Sequence, residues 1–588
     1  MTLLAGLFVS GIVFRHQRML TYIGASLALA SGWWLILTFV SRSFWPHLAP
    51  HYLYGLGGAL LAVIFLPWWR IWKLPYRNGV GSGWRDLMVM AALIPVLLAI
   101  FFVWRVNGQM GDSWVWHSFF NGDTATFTSL VAKSFSVSGL VTDNPFGAGV
   151  PLEYPTLLHA GMASLFGTSH SLGWIHFLSS MTYIGVFVTV TALFLVFDSI
   201  FPDPASLGLR SFGARALPLL GVIYVMALGW DNFIYPQSHF FLFGLWLVCA
   251  SLFWQGLKLN GGLRAMTLCL ASLITCVLIA ANAVVGAAAL IVALAVFGSL
   301  VLDTKNMVSV RLLSLVLVLL FIGIFLGLAP GEPQFGGLQF SYDAASEAMR
   351  LVPALGLLFI GLALYENRSS SLLLSVTGLC VLAGITFFFS NRDIVVANAS
   401  RFLYHALLLA WPLMLLPLVP LQWWFRRYFM HSTRTLAERI SGWILMLTFV
   451  GLLLLPAVSS VARAEDNLMR QDTQEITSSM VEAVWWLEDH VTPGEVIVAS
   501  PLPPWYIPFF TGHTLLRAAY EDGAYWLSAD DAVLSDLRAA FAGDAKAQEA
   551  VMGMGNYLLL TKDERIAWEP LKFQKVFDIN AIVIYKLR

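Results

Sequence analysis

Long apolar runs recur along most of this chain, each about the length needed to cross a bilayer as a helix. About thirteen can be drawn, near 19–40, 52–69, 87–104, 174–197, 216–230, 239–255, 265–281, 284–302, 312–328, 351–365, 371–389, 402–421 and 440–460. Two stretches break the pattern. One is a polar interval from Arg105 to Thr168, far longer than an ordinary connection between spans. The other is everything after residue 460, where the periodicity becomes that of a water-exposed fold. The first fourteen residues are apolar but short for a span, which makes them an interfacial piece or an extra helix. Their basic residues follow the apolar run rather than precede it, so no cleavable signal is expected.

Within 461–588 the elements alternate in type. Residues 473–490 carry Ile476, Met480, Val484 and Leu487 at helical spacing. A turn and buried strand follow in TPGEVIVAS, a helical stretch over 528–552, a strand in NYLLLTKDE, and two more in FQKVFDI and AIVIYKL. This mixture predicts an α/β domain. The predicted organisation is thus 1–86, two spans in front; 87–460, a helical core with the large loop 105–168; and 461–588, the α/β domain.

Composition sharpens the class. Charged residues make up 12% of the 588, about half the usual share for a soluble domain, and mean hydropathy is +0.74. The chain reads as a polytopic α-helical membrane protein. Net charge is zero, which argues against nucleic acid as a partner. The four cysteines lie inside apolar runs and read as small buried hydrophobes. With residues 15–18 in the cytoplasm and the spans alternating, inner loops hold seventeen Lys and Arg and outer loops six. That asymmetry predicts a cytoplasmic N-terminus, with the 105–168 loop and the tail both outside the cell membrane.

No predicted span carries an ionisable residue in its interior, which counts against a proton- or ion-coupled transporter. Polar residues gather instead at the outer ends of the spans. His159, Asp231, Gln237, His239, Asp343, Glu347, Arg392, Arg401 and His405 all fall at that level. Such a rim suits a charged headgroup whose lipid tail stays in the bilayer; it is also what ordinary interfacial loops look like.

The loop sequence GDTATFTSLVAKSFSVSGLVTDNPFGAGVPLEYPTLLH resembles the first outer loop of the GT-C superfamily. These are polytopic glycosyltransferases using polyprenyl-phosphate-linked sugars, and they include protein O-mannosyltransferases, aminoarabinose transferases and arabinosyltransferases. The resemblance is carried by Asp123 after a span, a helix over Thr124–Phe135, Asn144–Pro145, Gly147 and Gly149, and Tyr154–Pro155 followed by His159. In the tail, Trp485–Trp486–Leu487, Thr492–Pro493 and Thr511–Gly512 stand in a similar order. The likeness covers most of 87–588 in layout. It implies a GT-C-like bundle of about thirteen transmembrane helices with a C-terminal extracytoplasmic α/β domain. The implied donor is a polyprenyl-phosphate sugar and the acceptor a cell-envelope glycan, lipid or protein. Family members often have two adjacent acids where this chain has Asp123–Thr124. If a divalent metal (Mg or Mn) serves as cofactor, a second acid must come from elsewhere, and Asp231 is the candidate.

Transfer from a lipid phosphate needs a base for the acceptor hydroxyl and donors for the leaving phosphate. Asp123 is the candidate catalytic base; the same residue also suits a cap on a helix that presents Phe127, Leu130, Val131 and Phe135 along one face. Arg401 is the candidate phosphate ligand, against the plainer reading of an arginine snorkelling at a helix end. His405 lies one turn on, and Arg392 is a second candidate. Glu153, Tyr154 and His159 are candidates for the sugar pocket, Asp231, Gln237 and His239 for sugar or metal, and Asp343 with Glu347 for a lid. Tyr154 equally reads as an interfacial aromatic and His159 as a helix-start histidine. No GxxxxGK[ST], HExxH, GxSxG or Asp-x-Asp motif offers a competing chemistry. The alternative from another class is a lipid or polysaccharide transporter, or a non-catalytic envelope-assembly protein.

Overall fold

The computed structural model describes residues 2–14, 19–45, 50–72, 87, 89–94, 96–98, 108–110, 113–117, 122–137, 139–150, 152, 156–166, 173–201, 212–229, 239–302, 312, 315–316, 319, 342–364, 378, 399–417, 435–469, 473–500, 506–518, 532–568, 573–579 and 581–587. Side chains within the helices and strands are described only in part.

Up to Met469 the described residues are mainly helical. In order run α1 (Thr2–Val13), α2 (Met19–Phe44), α3 (Pro50–Phe65), a hairpin of β1 (Gly108–Met110) and β2 (Ser113–His117), α4 (Gly122–Ser136), α5 (Leu157–Phe166), α6 (Gly173–Ile200), α7 (Phe212–Leu228), α8 (His239–Lys258), α9 (Gly261–Ala281), α10 (Ala283–Leu302), α11 (Tyr342–Leu364), α12 (Ala399–Ala410) and α13 (Leu436–Met469). Among the described residues, five helical stretches are long and apolar enough to cross a membrane: Met19–Phe44, Tyr52–Ile71, Met181–Ile200, Gly261–Ala281 and Val284–Leu302. Shorter apolar helices occupy other predicted runs, including Pro218–Leu228, Leu242–Lys258, Leu351–Leu362 and Arg401–Leu415. The runs near 312–328 and 371–389 lie almost wholly outside the described residues.

Small residues bring these helices close. A β-carbon on Gly24 of α2 would sit 1.8 Å from Thr191 Oγ1 of α6, and one on Gly244 of α8 would sit 2.8 Å from the Thr189 amide nitrogen. Backbones can approach this far only where a side chain is missing, the usual device for packing helices that gain little from hydrophobic contrast in lipid. Some hydroxyls inside the bundle are satisfied by their own helices: Ser26 Oγ donates to the Tyr22 carbonyl (2.6 Å) and Thr38 Oγ1 to that of Trp34 (3.0 Å). Asn282 separates α9 from α10 by capping the latter, its Oδ1 accepting from the amides of Val284 and Val285 (3.0 Å each). At the centre, the Trp411 indole stacks on Phe197 (5.6 Å) and donates to the Leu193 carbonyl (3.2 Å). The N-terminal piece takes the helical alternative: α1 packs on α2 and α3, burying Val9, Ile12 and Phe14. Cys249 is buried and Cys276 half-buried, but Cys269 is exposed on the bundle surface, contrary to the expectation that all are buried; Cys380 lies outside the described residues.

Contacts at helix ends sort the connections into two sides. Arg42, at the end of α2, donates to the Val137 and Gly139 carbonyls in the long loop. At the opposite side Lys258 Nζ donates to the Ser199 carbonyl (2.8 Å), joining the ends of α8 and α6.

The remainder carries β3 (Thr473–Ile476), α14 (Ser478–His490), β4 (Val496–Val498), α15 (Tyr506–Thr511), β5 (Thr514–Leu515), α16 (Ala532–Phe541), α17 (Ala545–Met552), β6 (Tyr557–Thr561), α18 (Lys562–Ala567), β7 (Gln574–Ile579) and β8 (Ile582–Lys586). Five strands form one sheet in the order β5-β4-β6-β8-β7, parallel across β5-β4-β6 and antiparallel across β6-β8-β7. Alternate residues face opposite layers, as strand geometry requires. Ile497, Leu559 and Ile584 pack with Ala483, Val484 and Leu487 of α14. Val498, Leu558 and Leu560 pack with Leu537, Val551 and Trp568 on the other side.

Two features differ from the sequence expectation. Residues 473–476, read as the start of a helix, form β3 and pair antiparallel with β2, with Trp114 opposite Ile476 and His117 opposite Thr473. The boundary drawn at 461 falls inside α13, which runs without interruption to Met469.

Candidate active site at the rim of the bundle

The long loop is built around α4. Its first turn contains Asp123, where the positive end of a helix favours a carboxylate. One turn on, Phe127 packs on His159 of α5 with ring centroids 4.6 Å apart. His159 is fully buried. Burial pushes its imidazole down to about 3, the nearby Thr156 backbone opposing this only partly. The ring is therefore neutral at any ordinary pH and supports α4 from beneath rather than offering charge to a phosphate.

A second polar group collects where α7 ends and α8 and α12 begin. Arg401 is half-buried on the first turn of α12. His405 is fully buried, and its Nδ1 donates to the Arg401 carbonyl (2.5 Å). Among the described residues its Nε2 has no hydrogen-bond partner, and the ring is enclosed edge-on by Phe243 (5.1 Å) and Trp246 (4.9 Å) of α8. His239 opens α8 one turn ahead of Phe243. Tyr404 ties α12 to α7 through its hydroxyl on the Val225 carbonyl (2.9 Å), and a β-carbon on Gly229 would fall 2.2 Å from the Tyr404 ring. The start of α12, the start of α8 and the end of α7 thus meet at one rim.

Asp343 lies in the first turn of α11, with Glu347 one turn later. Glu153, Tyr154, Asp231, Gln237 and Arg392 lie outside the described residues. Among the described residues no three metal-ligating side chains come together.

The tail reaches α4 directly, and sequence reasoning did not find this. Residues 145–148 run along the free edge of β5. The Leu515 amide donates to the Pro145 carbonyl (2.9 Å), the Ala148 amide to that of Leu515 (2.9 Å), and the Ala518 amide to that of Phe146 (3.0 Å). Arg517 secures the same turn by donating to the carbonyls of Ala148 and Leu516 (2.7 Å each). Lys133 of α4, 4% exposed, donates to Thr514 Oγ1 (2.6 Å). Burial lowers its ammonium from the ordinary lysine range, with the Asp143 carboxylate acting against this. His513 is buried next to it with Nε2 on the Leu487 carbonyl (3.1 Å). Its pKa falls to about 4, first through burial; Leu487 resists this, the Lys133 charge adds to it, and Glu495 opposes it. The advance signs of this interlock were Asn144–Pro145 with Gly147, and Thr511–Gly512, which carry no chemistry by themselves.

The fold is similar to that of ArnT from Cupriavidus metallidurans in the apo state, at 13% identity and TM-score 0.45, over 87% of this chain and 99% of that one. The same protein bound to undecaprenyl phosphate gives 14% and 0.42 over the same shares. The archaeal oligosaccharyltransferase AglB from Archaeoglobus fulgidus, in complex with an inhibitory peptide and a dolichol-phosphate, gives 8% and 0.48, over 82% of this chain and 70% of that one. No protein-family model matches the chain, and no curated protein matches it.

Proposed function

We propose that this protein is an inverting membrane glycosyltransferase of the GT-C type. It takes a sugar from a polyprenyl-phosphate donor and passes it to a cell-envelope glycan, lipid or protein. The observation that carries the reading is Asp123 on the first turn of a helix braced by both the rim helix α5 and the α/β tail. An isolated helix cap would need no such bracing.

In the proposed reaction Asp123 accepts the proton of the acceptor hydroxyl. The hydroxyl oxygen attacks the anomeric carbon from the face opposite the phosphate. As that bond forms, the bond from the anomeric carbon to the phosphate oxygen breaks, and the polyprenyl phosphate leaves with its electron pair. Arg401 holds the leaving oxygens, and its guanidinium matches two of them at once. His405, fixed through the Arg401 carbonyl, orients that turn. Asp123 and Asp231 would hold Mg or Mn, which would supply charge stabilisation at the phosphate. The N-terminus is cytoplasmic and the α/β domain, about 461–588, extracytoplasmic. Thirteen spans complete this arrangement.

The test is purified protein with a panel of radiolabelled polyprenyl-phosphate sugars and envelope acceptors, following product and its anomeric configuration. Transfer with inversion from at least one donor is expected. Retained configuration would remove the single-displacement mechanism. No transfer from any donor would remove the enzyme and favour the transporter or assembly role.

A further inference from the structure

Lys133 stands ten residues beyond Asp123 on the same helix, about 15 Å along its axis. A lysine this deeply buried is costly unless its ammonium is held. Thr514 holds it, and Thr514 is itself fixed. Its strand is paired on one edge with β4, where Val496 lies opposite Thr514, and on the other edge with the 145–148 turn. The adjoining Gly512 has φ +68°, and a β-carbon there would lie 2.5 Å from the Ala132 carbonyl carbon. The tail therefore meets α4 by backbone contact at Ala132 and by a hydrogen bond at Lys133. A methionine would fill the same space without a buried charge, so packing alone does not call for lysine here.

We propose that Lys133 and Thr514 are a positioning pair, through which the α/β tail sets the placement of α4 and hence of its first turn. The pair touches neither substrate nor reacting atoms; it acts through Asp123, and the proposal rests on the reading of Asp123 as the base. Because an α-helix moves as a rod, loosening its anchored end displaces the acid at the other. Displacements near 1 Å cost up to about 100-fold in rate.

The test compares Thr514→Val, Thr514→Ser and the double variant Lys133→Met/Thr514→Val in the full-length protein. Removing both polar partners leaves no orphaned charge, so the double variant should melt close to wild type. Its kcat should nevertheless fall about 10–100-fold, with KM for the lipid-linked sugar within about twofold. Thr514→Ser should restore kcat to within about threefold. Amide exchange over 124–136 should accelerate in the double variant. Wild-type kcat in the double variant, or equal losses in kcat and 1/KM, would overturn the proposal while leaving the glycosyltransferase reading intact. If wild type transfers no sugar, that reading falls by itself. Amide exchange then decides whether the tail holds α4, and unchanged exchange overturns this proposal as well.

Discussion

Gly512→Ala puts the junction of loop and tail under the most direct strain. The left-handed backbone at φ +68° costs a residue with a β-carbon about 1–2 kcal/mol. The new methyl would also lie 2.5 Å from the Ala132 carbonyl carbon and 2.6 Å from the Lys133 amide nitrogen, so α4 must retreat by about 1 Å to reach ordinary contact. Overpacking of this kind adds about 1–3 kcal/mol, for a total of about 2–5 kcal/mol. Gly543→Ala is the control, because Gly543 has φ +98° and open space around it. It incurs the backbone term alone. Melting of the purified protein, followed by tryptophan fluorescence, should show Gly512→Ala lowered on the order of 10 °C and Gly543→Ala by no more than about 5 °C. Transfer by Gly512→Ala should also fall, up to about 100-fold at a temperature where it stays folded. Equal midpoints for the two variants would refute the contact between the tail and α4.

Other expectations follow from the same geometry. His513 is neutral when buried, so it contributes stability above its ordinary pKa of 6.5, and that contribution is lost as pH falls from there toward about 4. The full effect is about 3 kcal/mol; the melting midpoint should drop between pH 7 and pH 5 in wild type, and markedly less in His513→Asn. Arg401→Ala should raise KM for the lipid-linked donor tenfold or more, as a lost charged hydrogen bond of about 1.5–3 kcal/mol would; an unchanged KM removes Arg401 from the phosphate site. In a cysteine-free background, a membrane-impermeant maleimide added to intact cells should label Glu549→Cys, exposed on α17, and spare Asn260→Cys, exposed between α8 and α9. The reverse pattern would invert the proposed topology.

Local pattern made the helices legible. The run 284–302 matches α10 because Asn282 caps it and nothing charged interrupts it. Likewise VIV, YLLLT and IVIYK are apolar enough to declare buried strands, and they form β4, β6 and β8. Pairings over long separations were not legible. TQEI continues the helical spacing of α14 and becomes a strand only because β2, more than 350 residues earlier, supplies the partner. The burial of Lys133 has no local signal, since it depends on Thr514 and Gly512 in the tail. His159 and His405 were readable as polar residues near the rim, but their complete enclosure depends on Phe127, Phe243 and Trp246 from other elements. Side-chain periodicity reports which face of an element is apolar; it does not say what will cover that face.

The account stands or falls on the role of Asp123. The decisive measurement is single-turnover transfer from a polyprenyl-phosphate sugar by wild type and Asp123→Asn, with donor binding measured in parallel. Loss of the base should slow transfer about 100- to 10,000-fold while donor affinity stays within a fewfold. Asp123→Asn transferring sugar at the wild-type rate would contradict it.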